Sequence, residues 1–273
     1  MSFIQNNNLE LMEFTSKPLR LDWEKELPKY WFDNSPVKTH FFNALSITFP
    51  EGEKFFIDSI KALRDKIIDE QLLKDIDTFI KQENWHSYAH RQYNNWLLTQ
   101  GLQSKKLEER FLRQFTFLTK NLNKKQKLTT TVCLEHITST LANYMLEHPE
   151  LLDSMDPHFR HLWIWHCIEE LEHKNIAMDV LNSTSKFTMN LRRLNMIFAT
   201  TLLMLMVFGN TISFLKADKQ LWKWQTFKDA TSFMFNKKNG FIRKSFKPWF
   251  NFMTYNFHPK NHDHTDLLRK YSK

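Results

Sequence analysis

Two Glu-x-x-His pairs are the features of this sequence best suited to chemistry. Glu83 and His86 form one pair and Glu170 and His173 form the other, each within a segment of helical periodicity. One such pair alone is typical of an exposed helix surface. Each pair here, however, follows a lone glutamate on an earlier predicted helix. A glutamate from each of two helices, with Glu-x-x-His from each of two others, is the ligand set of a carboxylate-bridged dinuclear metal site in a four-helix bundle. The lone glutamates are Glu53 and Glu135.

Helical geometry indicates that these side chains can converge. At about 100° per residue, Glu83, His86 and His90 fall within about 60° of one another, on a face that also carries apolar residues. His166 adds a further imidazole to the second pair, four residues before Glu170. A lone histidine on an apolar face is more often a hydrogen-bonded core group than a ligand, so the spacing alone does not assign His90.

The third ligand helix is harder to assign. Glu135 aligns with apolar residues of its segment, whereas His136 is rotated away from it by about 100°. We prefer Glu135 because a bundle site needs a carboxylate at this place. Glu169 lies beside the face of Glu170 and is a further candidate, whereas Glu172 points elsewhere.

The residue types explain the expected chemistry. Four carboxylates can bridge two cations and neutralise much of their charge, while neutral imidazoles leave positions open for O2, water or substrate. Burying several carboxylates in an apolar bundle without a cation would be very costly. We therefore expect two metal ions, with iron preferred and manganese or zinc as alternatives.

Composition favours an all-α protein. The 273 residues include only 4 Gly, whereas parallel α/β folds and phosphate-binding loops need glycine at many turns. The two cysteines, Cys133 and Cys167, offer neither a disulfide framework nor a Cys-x-x-Cys zinc motif, which fits a reducing cytoplasm. The first residues lack a basic segment followed by an apolar run, so we predict no secretory signal.

The pattern along the chain predicts a loosely structured lead-in at 1–35, a metal-binding bundle at 36–190 and a C-terminal extension at 191–273. Within the bundle, helices are predicted at about 51–69, 71–100, 126–147 and 156–185, with a crossover helix at 104–122. Asp156 and Pro157 are suited to the start of the last one. Four long helices with an extended connection between the second and third predict a ferritin-like four-helix bundle.

The extension combines an apolar segment with a basic, aromatic tail. Residues 195–215 contain no charged side chain, and the segment is long enough for a membrane-spanning helix. It also fits a helix buried against the bundle. Residues 216–273 hold 13 Lys and Arg against 4 Asp and Glu, a net charge of +9. We prefer a segment lying in the cytoplasmic face of the membrane, with the tail at the headgroups. We expect no nucleic-acid partner, because the rest of the chain has a net charge of −1. We expect a homodimer and an apolar small-molecule substrate.

Several stretches resemble a bacterial family of predicted metal-dependent hydrolases. They are FPEGEKFF (49–56), KQENWHSYAH (81–90), LEH (134–136), WHCIEELEHKNIAMDVL (165–181) and NFHP (256–259), which together span about 40 to 260. The resemblance implies a ferritin-like metal domain and adds His90, His136 and His166 to the expected site. The ladder of His166, Glu170 and His173 is also similar to the di-iron arylamine N-oxygenases, which carry an extra histidine.

The amino-acid sequence is compatible with three functions. The ligand set favours a di-iron oxidase or oxygenase, because bridging carboxylates can shift as iron changes oxidation state. The family description favours hydrolysis of an ester or phosphoester by two zinc or manganese ions. The third is a non-catalytic metal-binding protein at the membrane.

Overall fold

The computed structural model describes residues 18–185 and 188–271, and within these ranges the protein is helical with no β-strand. The all-α prediction is therefore confirmed. The helices are α1 (Pro36–Lys61), α2 (Glu70–Thr99), α3 (Ser104–Thr119), α4 (Lys124–Glu147), α5 (Pro149–Asp153), α6 (Pro157–His173), α7 (Ile176–Thr184), α8 (Met189–Ala217), α9 (Trp224–Phe235), α10 (Phe241–Asn251) and α11 (Thr265–Tyr271). The four long bundle segments are α1, α2, α4 and the pair α6 and α7, and α3 forms the connection between α2 and α4.

Local sequence signals fix several helix ends. The side chain of Asp69 accepts hydrogen bonds from two backbone amides at the start of α2, and Asn123 forms a capping box with Gln126 at the start of α4. The predicted start of α6 at Asp156 is confirmed, since its carboxylate accepts a bond from the backbone N–H of His158. Past the end of α2, Gly101 adopts a φ of 75°, a conformation that favours glycine.

Helix α1 differs from its prediction. It begins at Pro36 and not near residue 51, and it continues through Pro50. A proline inside a helix leaves the carbonyl four residues earlier without its partner, here that of Ser46. Asn94 of α2 donates a bond of 3.1 Å to this carbonyl, so a tertiary contact compensates for the loss.

Two other boundaries are corrected. The segment predicted as one helix from 156 to 185 is interrupted at Lys174 and Asn175, between α6 and α7. The lead-in lies partly outside the described residues, but its described part, 18–35, is not loose: Trp31 and Phe32 are fully buried, and Trp31 stacks on Phe159 of α6.

Two apolar clusters fill the bundle and leave a polar layer between them. One contains Phe49, Tyr93 and Trp163, and the other contains Phe56 and Phe79. On each bundle helix, the predicted ligands occur between residues that belong to the two clusters. The core thus surrounds the polar layer from both ends, and α8 covers the outer side of α1 and α4.

Candidate metal centre

Four helices bring seven predicted ligands into this polar layer. Each of the seven side chains is at most 3% exposed. They come from α1, α2, α4 and α6, as the order of the motifs predicted. The seven are Glu53, Glu83, His86, Glu135, His166, Glu170 and His173.

The seven side chains form overlapping groups that could each hold a metal ion. One group contains Glu53, His86 and His166, and another contains Glu83, Glu135 and His173. A third joins Glu83, His86 and Glu170, and in every group the offered ligand atoms lie within 4.8 Å of one another. Since Glu83 belongs to two groups, its carboxylate is placed to be shared by two ions.

Distances around Glu170 give this residue the same shared position. His166 Nε2 lies 3.2 Å from Glu170 Oε1, and His173 Nε2 lies 3.8 Å from Glu170 Oε2. His173 Nε2 is also 3.1 Å from Glu83 Oε1 and 3.6 Å from Glu135 Oε2. The two oxygens of Glu170 therefore face opposite halves of the site.

The ligand atoms are close but make few aligned hydrogen bonds with one another. Buried atoms without a partner include both oxygens of Glu83 and of Glu135, together with Nε2 of His166 and of His173. Orphaned buried polar groups are rare in folded proteins because each costs free energy. Carboxylate and imidazole ligand atoms that lie within 4.8 Å of one another without hydrogen-bond partners could be satisfied by cations, so these residues fit a dinuclear metal site.

Burial also perturbs the acid–base properties of the site. Desolvation raises the pKa of Glu53 and Glu135 well above the usual value, and repulsion from neighbouring carboxylates adds to this rise. Burial lowers the pKa of His86 well below its usual value, which keeps the imidazole neutral. For Glu170, burial opposes ionisation, but the adjacent His166 and His173 outweigh it and hold the pKa well below its usual range.

Residues around the ligands orient their imidazoles. His173 Nδ1 lies 3.2 Å from Gln82 Oε1, and Gln82 Nε2 donates a 2.8 Å bond to Glu172. A ligating histidine usually donates its second N–H in this way, which fixes the tautomer and the ring direction. No sequence pattern indicated a role for Gln82. Glu172, set aside as a ligand, holds this amide in place.

His90 and Glu169 occupy the edge of the site. His90 Nε2 lies 3.0 Å from His166 Nδ1, and His90 Nδ1 lies 2.9 Å from Ser46 Oγ, which donates to Asn94. His90 is thus placed to orient His166. Glu169 Oε2 lies 3.1 Å from His86 Nε2, and burial raises the pKa of Glu169 to about 8.

His136 is the one predicted site residue that the structure does not bring to the cluster. Its Nε2 lies 3.0 Å from the carbonyl oxygen of Pro248, and its ring stacks on Phe252 of the C-terminal segment. The physical reason is the rotation of about 100° between successive helical residues, which turns His136 outward when Glu135 faces inward.

Substitution of Gln82 by leucine tests the orienting role. We expect the affinity for the metal ion held by His173 to fall by about 10–100-fold, because the imidazole loses its acceptor while all ligands remain. Competitive metal titration of the purified variant measures this change. Gln71→Leu, on the exposed first turn of the same helix, is the control and should bind metal like the wild type. Equal affinities for the two variants would contradict an orienting role.

Comparison with known proteins identifies a family. A family model described as "Predicted metal-dependent hydrolase" matches residues 15–263. The chain belongs to this family. No curated protein and no solved structure matches it. The family resemblance inferred from the sequence motifs is therefore confirmed. Among the described residues, the buried Glu and His side chains of the site could hold the metal of this predicted metal-dependent hydrolase.

Proposed function

We propose that the protein is a dinuclear metalloenzyme that uses two iron ions to activate O2. The observation that carries this proposal is the position of two carboxylates. Glu83 belongs to two of the ligand groups, and the two oxygens of Glu170 lie near His166 and His173, which belong to different groups. Glu53, His86 and His166 would hold one ion, and Glu135 and His173 the other. When bound, two bridged iron ions supply redox chemistry with O2, whereas the protein residues hold and neutralise the ions and exclude water.

Hydrolysis is the second candidate because the family description names it. Two zinc or manganese ions can polarise an ester and generate hydroxide near neutral pH. The described ligand set accommodates either metal type, since carboxylates and imidazoles suit iron, manganese and zinc alike. The two candidates differ in what they consume, which makes them separable by experiment.

Metal content and O2 consumption together test the proposal. We expect about two iron ions per chain by elemental mass spectrometry after anaerobic Fe(II) loading, and O2 uptake in proportion to bound iron. Glu170→Ala protein given the same Fe(II) is the control for iron oxidation in solution. Hydrolysis of ester substrates by zinc- or manganese-loaded protein, without any O2 uptake by the iron form, would favour the second candidate. Metal binding without either activity would leave a non-catalytic metal protein.

We also propose that the protein contacts the inner face of the cytoplasmic membrane. Among the described residues, α8 is the one helix long and apolar enough to cross a bilayer, a property that core helices of soluble proteins share. Only 28% of the most apolar 18-residue segment of this helix is buried inside the protein, however. Its exposed side chains follow a helical stripe that, together with three side chains of α10, we call the apolar face. The apolar face consists of Leu194, Ile197, Phe198, Leu205, Phe208, Ile212, Ile242, Phe246 and Phe250.

Tertiary contacts argue for a helix lying along the membrane surface and not across it. Helix α8 packs on α1 and α4, and Arg110 donates to Asn210 in its second half. Crossing a bilayer would require separation from these partners. Exposed Arg243, Lys244 and Lys247 on α10 can meet anionic headgroups beside the apolar face.

Sedimentation with lipid vesicles tests membrane contact. We expect binding to vesicles that contain anionic phospholipid, and about a tenfold or greater loss for the double variant Phe246→Ser/Phe250→Ser, because burial of each ring is favourable. The double variant Ile68→Ser/Phe117→Ser removes two exposed apolar side chains away from the apolar face and should bind normally. In the contrary outcome, the wild type fails to sediment and forms a homodimer. If the double variant Phe246→Ser/Phe250→Ser is then monomeric, the apolar face is a subunit interface and not a membrane contact.

A further inference from the structure

An apolar crevice leads to the metal centre from the side of α8. It lies among α1, α3, α4, α8 and the start of α10, and among the described residues Glu53 is the one ionisable residue that lines it. Its walls are otherwise formed by aliphatic and aromatic side chains, Gly52 and three threonines. Wall residues include Phe49, Phe56, Phe111, Leu134 and Leu203.

The three threonines offer no free donor to a ligand. Thr48 Oγ1 donates to the carbonyl of Leu45, and Thr130 Oγ1 donates to that of Gln126. Thr138 Oγ1 donates to the carbonyl of Glu135 in the same manner. A carbonyl group or a charged headgroup in this crevice would lose its bonds to water without replacement, which costs free energy.

The inner crevice continues into an outer pocket. Ile137, Met204 and Phe241 line both cavities, so these residues form the junction. The outer pocket has a volume of about 300 Å³ and is bordered by Phe208, Ile242 and other side chains of α4, α8 and α10. Phe208 and Ile242 are also part of the apolar face, so the pocket opens toward that surface.

The dimensions favour a slim ligand. The inner crevice has a volume of about 50 Å³, enough for only a few water-sized groups at about 10–15 Å³ each. Rings and branched groups would require movement of the surrounding core, whereas consecutive methylene groups can follow a narrow path. Affinity in such a site comes from the burial of apolar surface alone.

We propose that the crevice binds a linear hydrocarbon chain of the alkyl or fatty-acyl type, with a methylene segment at Glu53 and the polar end toward the apolar face. This inference rests on the proposed function insofar as it places the chain beside the metal centre. It places a methylene segment, and not the polar end, at Glu53, because the described side chains that line the crevice would leave a polar group without a hydrogen-bond donor. Oxidation of that segment would insert one oxygen atom of O2 into a C–H bond, and an external two-electron donor, with two protons, would reduce the other oxygen atom to water. A hydrocarbon segment offers no bond for hydrolysis.

Calorimetric binding of saturated fatty acids with 8, 10 and 12 carbons tests the inference. With zinc-loaded protein, we expect the affinity to rise by up to about fourfold per added methylene group, as apolar burial predicts. Ile137→Trp narrows the junction and should weaken binding of the 12-carbon chain by at least about tenfold. Ile212→Trp, on the apolar face but outside both cavities, is the matched control and should bind like the wild type.

Met204→Trp closes the same junction from α8 and should reproduce the effect if Ile137→Trp fails to fold, with circular dichroism as the measure of folding. An affinity that does not change with chain length, or normal binding by a folded junction variant, would overturn the inference. Metal content is measured on the same samples. Protein that holds two metal ions but binds no fatty acid would refute the proposed hydrocarbon ligand and leave the metal proposal standing. Protein that binds fatty acid but no metal would refute the metal proposal and leave the hydrocarbon ligand standing.

Discussion

Glu170→Ala should abolish the binding of both metal ions, not just one. Glu170 lies between the two ligand groups, with one oxygen near His166 and the other near His173. Removing a partner that merely orients a ligand lowers metal affinity by about 10–100-fold, so removing a shared ligand should cost more than about 100-fold. Elemental mass spectrometry should find fewer than one iron per chain after anaerobic loading, and O2 uptake should fall to the level of free Fe(II).

A matched control separates this effect from a general loss of acidic charge. Glu51 is two residues from Glu53 on α1, but its carboxylate pairs with Arg91 at the surface. Glu51→Ala should therefore retain two metal ions. Circular dichroism should show that both variants remain helical. Retention of one tightly bound ion by Glu170→Ala would contradict the shared position of Glu170.

Metal-free protein should lose stability as the pH rises above about 6.5, the reverse of the behaviour of the metal-loaded form. Burial raises the pKa of Glu53, Glu83 and Glu135 in the folded state, so the fold retains protons that the unfolded chain has already released. Stability must then fall with rising pH, by about 1.4 kcal/mol per pH unit for each such proton. For two retained protons the slope is about 3 kcal/mol per unit.

Histidines of the site do not cancel this slope above pH 6.5. Burial lowers the pKa of His86 and His90, so their contribution changes only below the usual histidine value. Burial disfavours the charged form of His173 as well, but neighbouring Glu170 and Glu83 outweigh this and raise its pKa, so its contribution also declines with rising pH. The window runs from about 6.5 upward and includes the region near pH 8 where Glu169 ionises.

Thermal unfolding of both forms between pH 6.5 and 8 measures this difference. The metal-free protein should lose roughly 6 °C in Tm per pH unit, at about 2 °C per kcal/mol for a chain of this size. The metal-loaded protein should not decline, because metal binding requires deprotonated ligands and becomes tighter as the pH rises. The double variant Glu53→Gln/Glu135→Gln should reduce the slope of the metal-free form. A metal-free Tm that rises with pH would contradict the prediction.

The family description names hydrolysis, whereas the proposed hydrocarbon ligand favours oxidation. The description applies to the family as a whole. The inner crevice, by contrast, offers a polar group no free side-chain donor among the described residues that line it, which favours an apolar segment beside Glu53. We therefore place oxidation first, with the fatty-acid and O2 experiments as the means to decide between the two.

The fold class and the inward-facing ligand ladders could be predicted from the amino-acid sequence alone. Helical periodicity sets the relative directions of residues three, four and seven apart, so Glu83 with His86 and Glu170 with His173 could be placed on inner faces before any contact was known. The order of the four glutamates then required a bundle. These features depend on short-range geometry, which the chain specifies locally.

The surroundings of those ladders depend on contacts between distant parts of the chain. The continuation of α1 through Pro50 depends on Asn94, and the direction of His173 depends on Gln82, both from α2. His136 lies beside Pro248, more than a hundred residues away in the sequence. The apolar crevice likewise exists only where α8 and α10 meet α1 and α4. Such features are set by contacts between distant segments. The periodicity of one helix does not encode these contacts, because it fixes the direction of each side chain within the helix but not the partner that the helix faces.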